Sequence, residues 1–177
     1  MEINPDSAAT LISLPGALVE ITHHASVALD EEPQAIVLRV PDVPANTLSR
    51  IEIWLAGRER RSVLLLWQRQ SVARGMTLLF NQATTTLFIG AETFAAAVDL
   101  VSGNVVDPHS VVLVWHFQQS GEFVIELGEL ACFLRTGSGD ILGEASVDPP
   151  YEIFDTPEGV RFESPTMGTQ WLRFPRC

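Results

Sequence analysis

The chain predicts an all-β fold, an antiparallel β-sandwich or barrel with an internal duplication of strand units and one short N-terminal helix. The alternation of Ala17, Val19, Ile21, Ala25, Val27 and Leu29 against Glu20, Thr22, His24 and Ser26 is the signature of a long half-buried strand. Short apolar runs separated by Gly, Pro, Asp and Ser recur along the whole length, giving about a dozen strands. Two stretches of such strands also repeat one another in order, and 177 residues with 46 % apolar content fill the core of one domain, residues 1–177.

The elements follow in turn. Asn4-Pro5-Asp6 reads as a helix start, with Asn as cap, Pro at the first helical position and Asp near the positive end of the dipole. Pro15-Gly16 closes that lead-in over residues 1–16. After the strand from Ala17 to Leu29, Asp30-Glu31-Glu32-Pro33 turns the chain into a strand from Ala35 to Val40, which Pro41-Asp42-Val43-Pro44 stops. Leu48 to Leu55 alternates again, with Ile51, Ile53 and Leu55 inward and Arg50 and Glu52 outward. The stretch Glu92 to Leu100 has helix-favouring Ala95-Ala96-Ala97, but its counterpart Glu129 to Arg135 carries Cys and Phe, so a strand is expected at both. The tail adds a hairpin, Tyr151 to Phe154 and Val160 to Glu163, around Asp155-Thr156-Pro157-Glu158-Gly159, and a last strand from Gln170 to Phe174.

The duplication is read over residues 62–106 and 110–142. Ser62 to Gln70 returns as Ser110 to Gln118, each run ending near a Trp, and Leu87 to Val106 returns as Phe123 to Leu142. In the second pair Ile89 and Ile125, Ala95 and Ala131, and the turns Ser102-Gly103 and Ser138-Gly139 stay in step. Extra residues around Met76 to Thr86 account for the changed offset. Uninterrupted apolar openings suggest that each copy begins with a strand covered on both faces, with Trp67 and Trp115 equivalent. The unit of two apolar strands followed by Ser-Gly-x-Val/Ile is similar to a β-propeller blade. Propellers need roughly four to eight blades, more than this chain holds, so no functional residue carries over.

Composition narrows the function. All eleven basic residues are Arg, which removes Schiff-base chemistry and the P-loop lysine, and no cofactor motif is present. A net charge of -11 opposes binding to nucleic-acid phosphates and favours a basic partner. The acids concentrate in Glu122 to Glu163, with only Arg135 and Arg161 against them, while Arg58, Arg60, Arg61, Arg69 and Arg74 gather earlier in the chain. No apolar run approaches the roughly 20 residues of a membrane span and no leader is read at Met1 to Asp6. Cys132 and Cys177 make no disulfide framework, so the expected compartment is the cytoplasm.

Catalytic patterns are absent. His23 and His24 face opposite sides of a strand, so His23 is either a hydrogen-bonded core residue or a lone ligand, and no metal spacing occurs. Gly137-Ser138-Gly139 is a turn and not a nucleophile elbow, because Thr136 takes the first glycine's place. The expected function is therefore a non-catalytic interaction protein that binds a basic protein partner. By analogy, a bacterial immunity protein that masks a toxin's cationic active site has this size and charge. The expected surface is Asp148, Tyr151, Glu152, Asp155 and Glu158, where prolines stiffen the backbone and the chain's one Tyr lies among acids. One alternative is a carbohydrate- or small-ligand-binding sandwich that stacks sugar on Trp54 or Trp171. Another is a hydrolase with paired carboxylates, such as Glu126 with Glu129 or Asp140 with Glu144.

Overall fold

The structure, a computed structural model, describes residues 9–24, 34–41, 44–55, 60–68 and 76–175. Among them the protein is all-β, with sixteen strands and no helix, and so has no helix long and apolar enough to cross a membrane. The chain divides into two compact units, one of residues 1–75 with 100–104, the other of residues 76–99 with 105–177.

The first unit is a five-stranded sheet of β1 (Thr10–Leu14), β2 (Ala17–His24), β3 (Ile36–Arg39), β4 (Thr47–Leu55) and β5 (Arg61–Trp67), in the order β1-β2-β4-β5-β3. Thr10–Leu14 corrects the expected helical lead-in over that stretch, while Asn4-Pro5-Asp6 lies outside the described residues. Thr10 and Ile12 are β-branched, and Pro15-Gly16, with Gly16 at φ 78°, makes a two-residue hairpin that pairs Leu14 with Ala17. The alternation of β2 holds, placing Val19 and Ile21 against Ile51 and Ile53 of β4. Val63 to Trp67 are all buried, as expected of a strand covered on both faces, and β3 pairs with β5 in parallel. His23 takes the core role: its Nδ1 lies 2.7 Å from Ser49 Oγ, which also accepts the Trp67 indole N–H at 2.8 Å.

The second unit consists of three antiparallel sheets, each made from one contiguous stretch of chain. The first holds β6 (Met76–Asn81), β7 (Thr86–Ala91), β8 (Phe94–Asp99) and β9 (Val105–Ser110). The next holds β10 (Val114–Ser120), β11 (Phe123–Gly128), β12 (Ala131–Thr136) and β13 (Ile141–Ser146). The last holds β14 (Glu152–Thr156), β15 (Gly159–Ser164) and β16 (Gly168–Arg173). The middle sheet is covered on both faces. Val124 and Phe117 pack with Phe88, Ala95 and Ala97 of the first sheet, while Ile125, Leu127 and Leu134 pack with Val160, Phe162 and Leu172 of the third. Side chains alternate across a strand, so β11 serves both layers.

The duplication is legible in these sheets. β11 and β12 each begin 37 residues after β7 and β8, and β13 begins 36 after β9. The stretch Glu92 to Leu100 is strand β8, as its counterpart implied. The leading pair is different, since Trp67 closes a buried strand of the first unit whereas residues 111–113 link β9 to β10 and are not strand. There Val111 N–H donates to Thr93 O and Val114 N–H to Glu92 O, using the apolar run to carry the chain from one sheet to the next. The Ser-Gly turn of the second copy is seated against the first sheet. A side chain at Gly139, with φ 114°, would overlap the Ala97 methyl, and Thr84 donates to Gly137 O at 2.6 Å.

Candidate functional site

The acids of the expected surface lie on edge strand β14 and the segment before it, in the second unit. Alternation divides them, because Glu152 shares a face with Phe154, while Asp155 shares the opposite face with Ile153. Asp155 accepts a hydrogen bond from Gln118 Nε2 of β10 at 3.1 Å. Glu158, in the β14–β15 turn, is ion-paired with Arg173 Nη1 at 3.2 Å. Glu152 lies directly across from Glu163 in the strand register and has no ion pair among the described residues. Asp148, half-buried, follows Val147, whose N–H donates to Leu130 O.

Tyr151 is held from three sides. Its hydroxyl donates to Gly128 O at 2.7 Å and accepts a weak bond from Cys132 Sγ at 3.6 Å. Phe162 meets its ring edge-on at 5.8 Å, and Trp115 stacks on it, 5.2 Å between centroids and 7° from parallel. Burial pushes both the Cys132 thiol and the Tyr151 phenol above their ordinary ranges. The exposed member of this pair is Trp115, 40 % accessible. A β-bulge puts it there: the β10–β11 register slips between Val114 and His116, leaving Trp115 as the extra residue turned toward Tyr151. Val112, three residues before Trp115, is exposed, as is Leu130 next to Glu129, whose N–H donates to Leu113 O, two residues before Trp115. The site is thus a rigid aromatic stack among exposed apolar residues and carboxylates.

The stacking candidates Trp54 and Trp171 lie elsewhere. Trp54, on β4 of the first unit, is half-buried across from Leu18, on the face where Glu52 accepts from Ser62 Oγ at 3.1 Å and pairs with Arg60 Nε at 2.9 Å. Trp171 is on the outer face of β14–β15–β16, in one cross-strand row with Arg161 and Phe154. The Arg173 guanidinium lies 4.7 Å over the Trp171 ring, and that of Arg161 lies 4.4 Å over Phe154 and bonds Glu163 at 2.6 Å. An open concavity of about 410 Å³ beside this face is lined by Pro157, Glu158, Arg173, Phe174 and Pro175.

Of the carboxylate pairs, Glu126 is committed within the fold. It is 1 % exposed and accepts from Arg135 Nε at 2.9 Å, with Arg135 itself 0 % exposed. Arg135 also donates to Gly139 O at 2.7 Å, Asp107 O at 3.3 Å and His109 Nδ1 at 2.8 Å. His109 Nδ1 also lies 3.2 Å from Asp107 O, and its Nε2 lies 3.1 Å from Glu126 Oε1. This cluster ties the middle sheet to β9 of the first, beside two strand irregularities and Asp107 at φ 39°. Asp140 accepts from Thr136 and Ser138 within its own turn. No group of His, Cys, Asp and Glu able to hold a metal occurs among the described residues.

Sequence reasoning missed Trp115 as the exposed ring and missed the His109–Glu126–Arg135 cluster. A bulge leaves no mark in alternation, and a buried ion pair reads as two surface charges. Comparison with protein-family models and with curated proteins finds no match.

Proposed function

We propose that the protein is a non-catalytic interaction module of the cytoplasm that captures a basic protein partner through the flank where Trp115 covers Tyr151. The observation that carries this reading is the exposed, rigidly backed Trp115–Tyr151 stack, with Glu152 next to Tyr151 in sequence, Glu129 bonded through its N–H to Leu113 O and Asp148 following Val147, whose N–H bonds Leu130 O; none of these acids has an ion pair among the described residues. Interfaces concentrate their energy in aromatic anchors that are held in place before binding, and surrounding charge steers an oppositely charged partner toward them. The role of an immunity-like mask over a cationic site fits this chemistry, and it stands here by analogy of charge and size. Sugar stacking is less well supported, because Arg173 already covers the ring of Trp171. Carboxylate hydrolysis is less well supported because Arg135 holds Glu126.

The test is charge reversal. A variant carrying Glu129→Arg, Asp148→Arg and Glu152→Arg, with its melting temperature checked against the parent, should lose capture of the proteins that the parent retains at low salt and releases as salt rises. Equal capture by both at every salt concentration refutes the reading. Binding to an immobilised glycan array that added salt leaves unchanged would transfer support to the carbohydrate alternative.

A further inference from the structure

We propose that the outer face of Trp115 receives an arginine side chain of the protein partner, held there by Glu129 and Asp148; this rests on the interaction reading above. The second unit shows the same arrangement twice within itself. On the third sheet, Phe154 is covered by the guanidinium of Arg161, which Glu163 fixes at 2.6 Å. In the same row Trp171 is covered by the guanidinium of Arg173, which Glu158 fixes at 3.2 Å. Each is a ring, a guanidinium upon it and a carboxylate upon the guanidinium.

Trp115 has the ring without the cation. Its inner face is taken by Tyr151, it is 40 % exposed, and no cation lies over it among the described residues. Two backbone bonds carry carboxylates to this end of the sheet. Glu129 N–H donates to Leu113 O, and Val147 N–H, one residue before Asp148, donates to Leu130 O. Glu129 and Asp148 are half-buried residues, and a carboxylate partly removed from water pulls harder on an arriving cation than one in open solvent. An indole offers the strongest aromatic face for a cation, and an Arg is the better fit than a Lys because its planar guanidinium stacks on the ring while its edge meets a carboxylate.

The experiment follows the Trp115 indole N–H resonance by NMR, assigned through Trp115→Phe, during titration of the full chain with N-acetyl-arginine amide, N-acetyl-lysine amide and uncharged N-acetyl-citrulline amide. The arginine compound should shift this resonance at about fivefold lower concentration than the lysine compound, and citrulline should not shift it. Glu129→Gln with Asp148→Asn should weaken the arginine response, and Trp115→Leu should weaken capture of the salt-sensitive partner while Trp115→Phe, which keeps a ring over Tyr151, largely preserves it. Equal responses to arginine and lysine, or an arginine response unchanged by the two amide substitutions, overturns the proposal. If charge reversal abolishes capture and Trp115→Leu captures as well as the parent, the arginine anchor is wrong and the interaction reading survives. If charge reversal leaves capture intact, the interaction reading itself fails.

Discussion

Replacing Glu126 by Ala should destabilise the protein by about 3–5 kcal/mol, the range for breaking a buried ion pair from one side. Glu126 and Arg135 are 1 % and 0 % exposed, so water cannot screen or replace the lost carboxylate. The Arg135 guanidinium would keep the carbonyls Gly139 O and Asp107 O and its contact with His109 Nδ1, with no counter-charge bonded to it. For a chain of this length each kcal/mol corresponds to about 2–4 °C, so the melting temperature should fall by roughly 6–20 °C. The informative partner is Glu126→Leu with Arg135→Met, which removes both charges at similar volume and should recover most of the loss. Urea titrations of parent, singles and double complete the cycle, with a coupling of more than about 1 kcal/mol expected between the two sites. A single variant that loses less than about 1 kcal/mol, or a double that is no better than the worse single, would show that the pair does not carry this energy.

The two tryptophans first read as equivalents should behave differently. Trp67→Ala should cost about 3–5 kcal/mol, since the ring is 2 % exposed and bonds Ser49, whereas Trp115→Ala should cost about 1 kcal/mol, the value of one exposed aromatic stack; equal losses in denaturant melts contradict the assignment. Because burial raises the Cys132 thiol and the Tyr151 phenol, both stay neutral in the folded state at pH values where the unfolded chain ionises them. Their contribution is therefore complete below the ordinary thiol range near 9 and lost as pH rises beyond it; Cys132→Ala with Tyr151→Phe should flatten the alkaline decline in stability, and an unchanged decline rejects this source. The same burial should keep Cys132 from alkylation by iodoacetamide in the folded protein, with mass spectrometry showing modification at this residue only after unfolding. Gly139→Ala should lower the melting temperature by several degrees, because its methyl meets that of Ala97 at a backbone φ of 114°; a parent-like melt would mean the turn is not seated against the first sheet.

Local alternation was enough to place most strands. Val19, Ile21, Ile51 and Ile53 face one side because period-2 patterning responds to a single buried face, and Ser138-Gly139 marks a turn because few residues tolerate that backbone. The failures came where tertiary contacts decide. Thr10–Leu14 pairs with β2 although Asn4-Pro5-Asp6 suggests a helix upstream, since a neighbouring strand outweighs weak local propensity. The apolar run Val111 to Leu113 reads as a central strand and is a link between sheets, satisfied by Thr93 and Glu92 carbonyls that no local pattern announces. At the site, Tyr151 stands out in the sequence as the one tyrosine among acids, but its partner Trp115 depends on a bulge in a different strand, and the pairing of Glu126, nominated only as a carboxylate with Glu129, is hidden because Arg135 is nine residues away in sequence.

The contiguous origin of the three sheets of the second unit bears on how this part of the chain is made. Residues 76–110, 114–146 and 152–173 can each close by nearest-neighbour hairpins, so the contacts within a sheet span little sequence and their loop-closure entropy is small. During synthesis the first sheet can therefore form before the next leaves the ribosome and then serve as the surface on which it condenses. Stability then propagates along these three sheets much as it does in a repeat array. Hydrogen exchange should find its slowest amides in β11 and β12, which have a layer on either side.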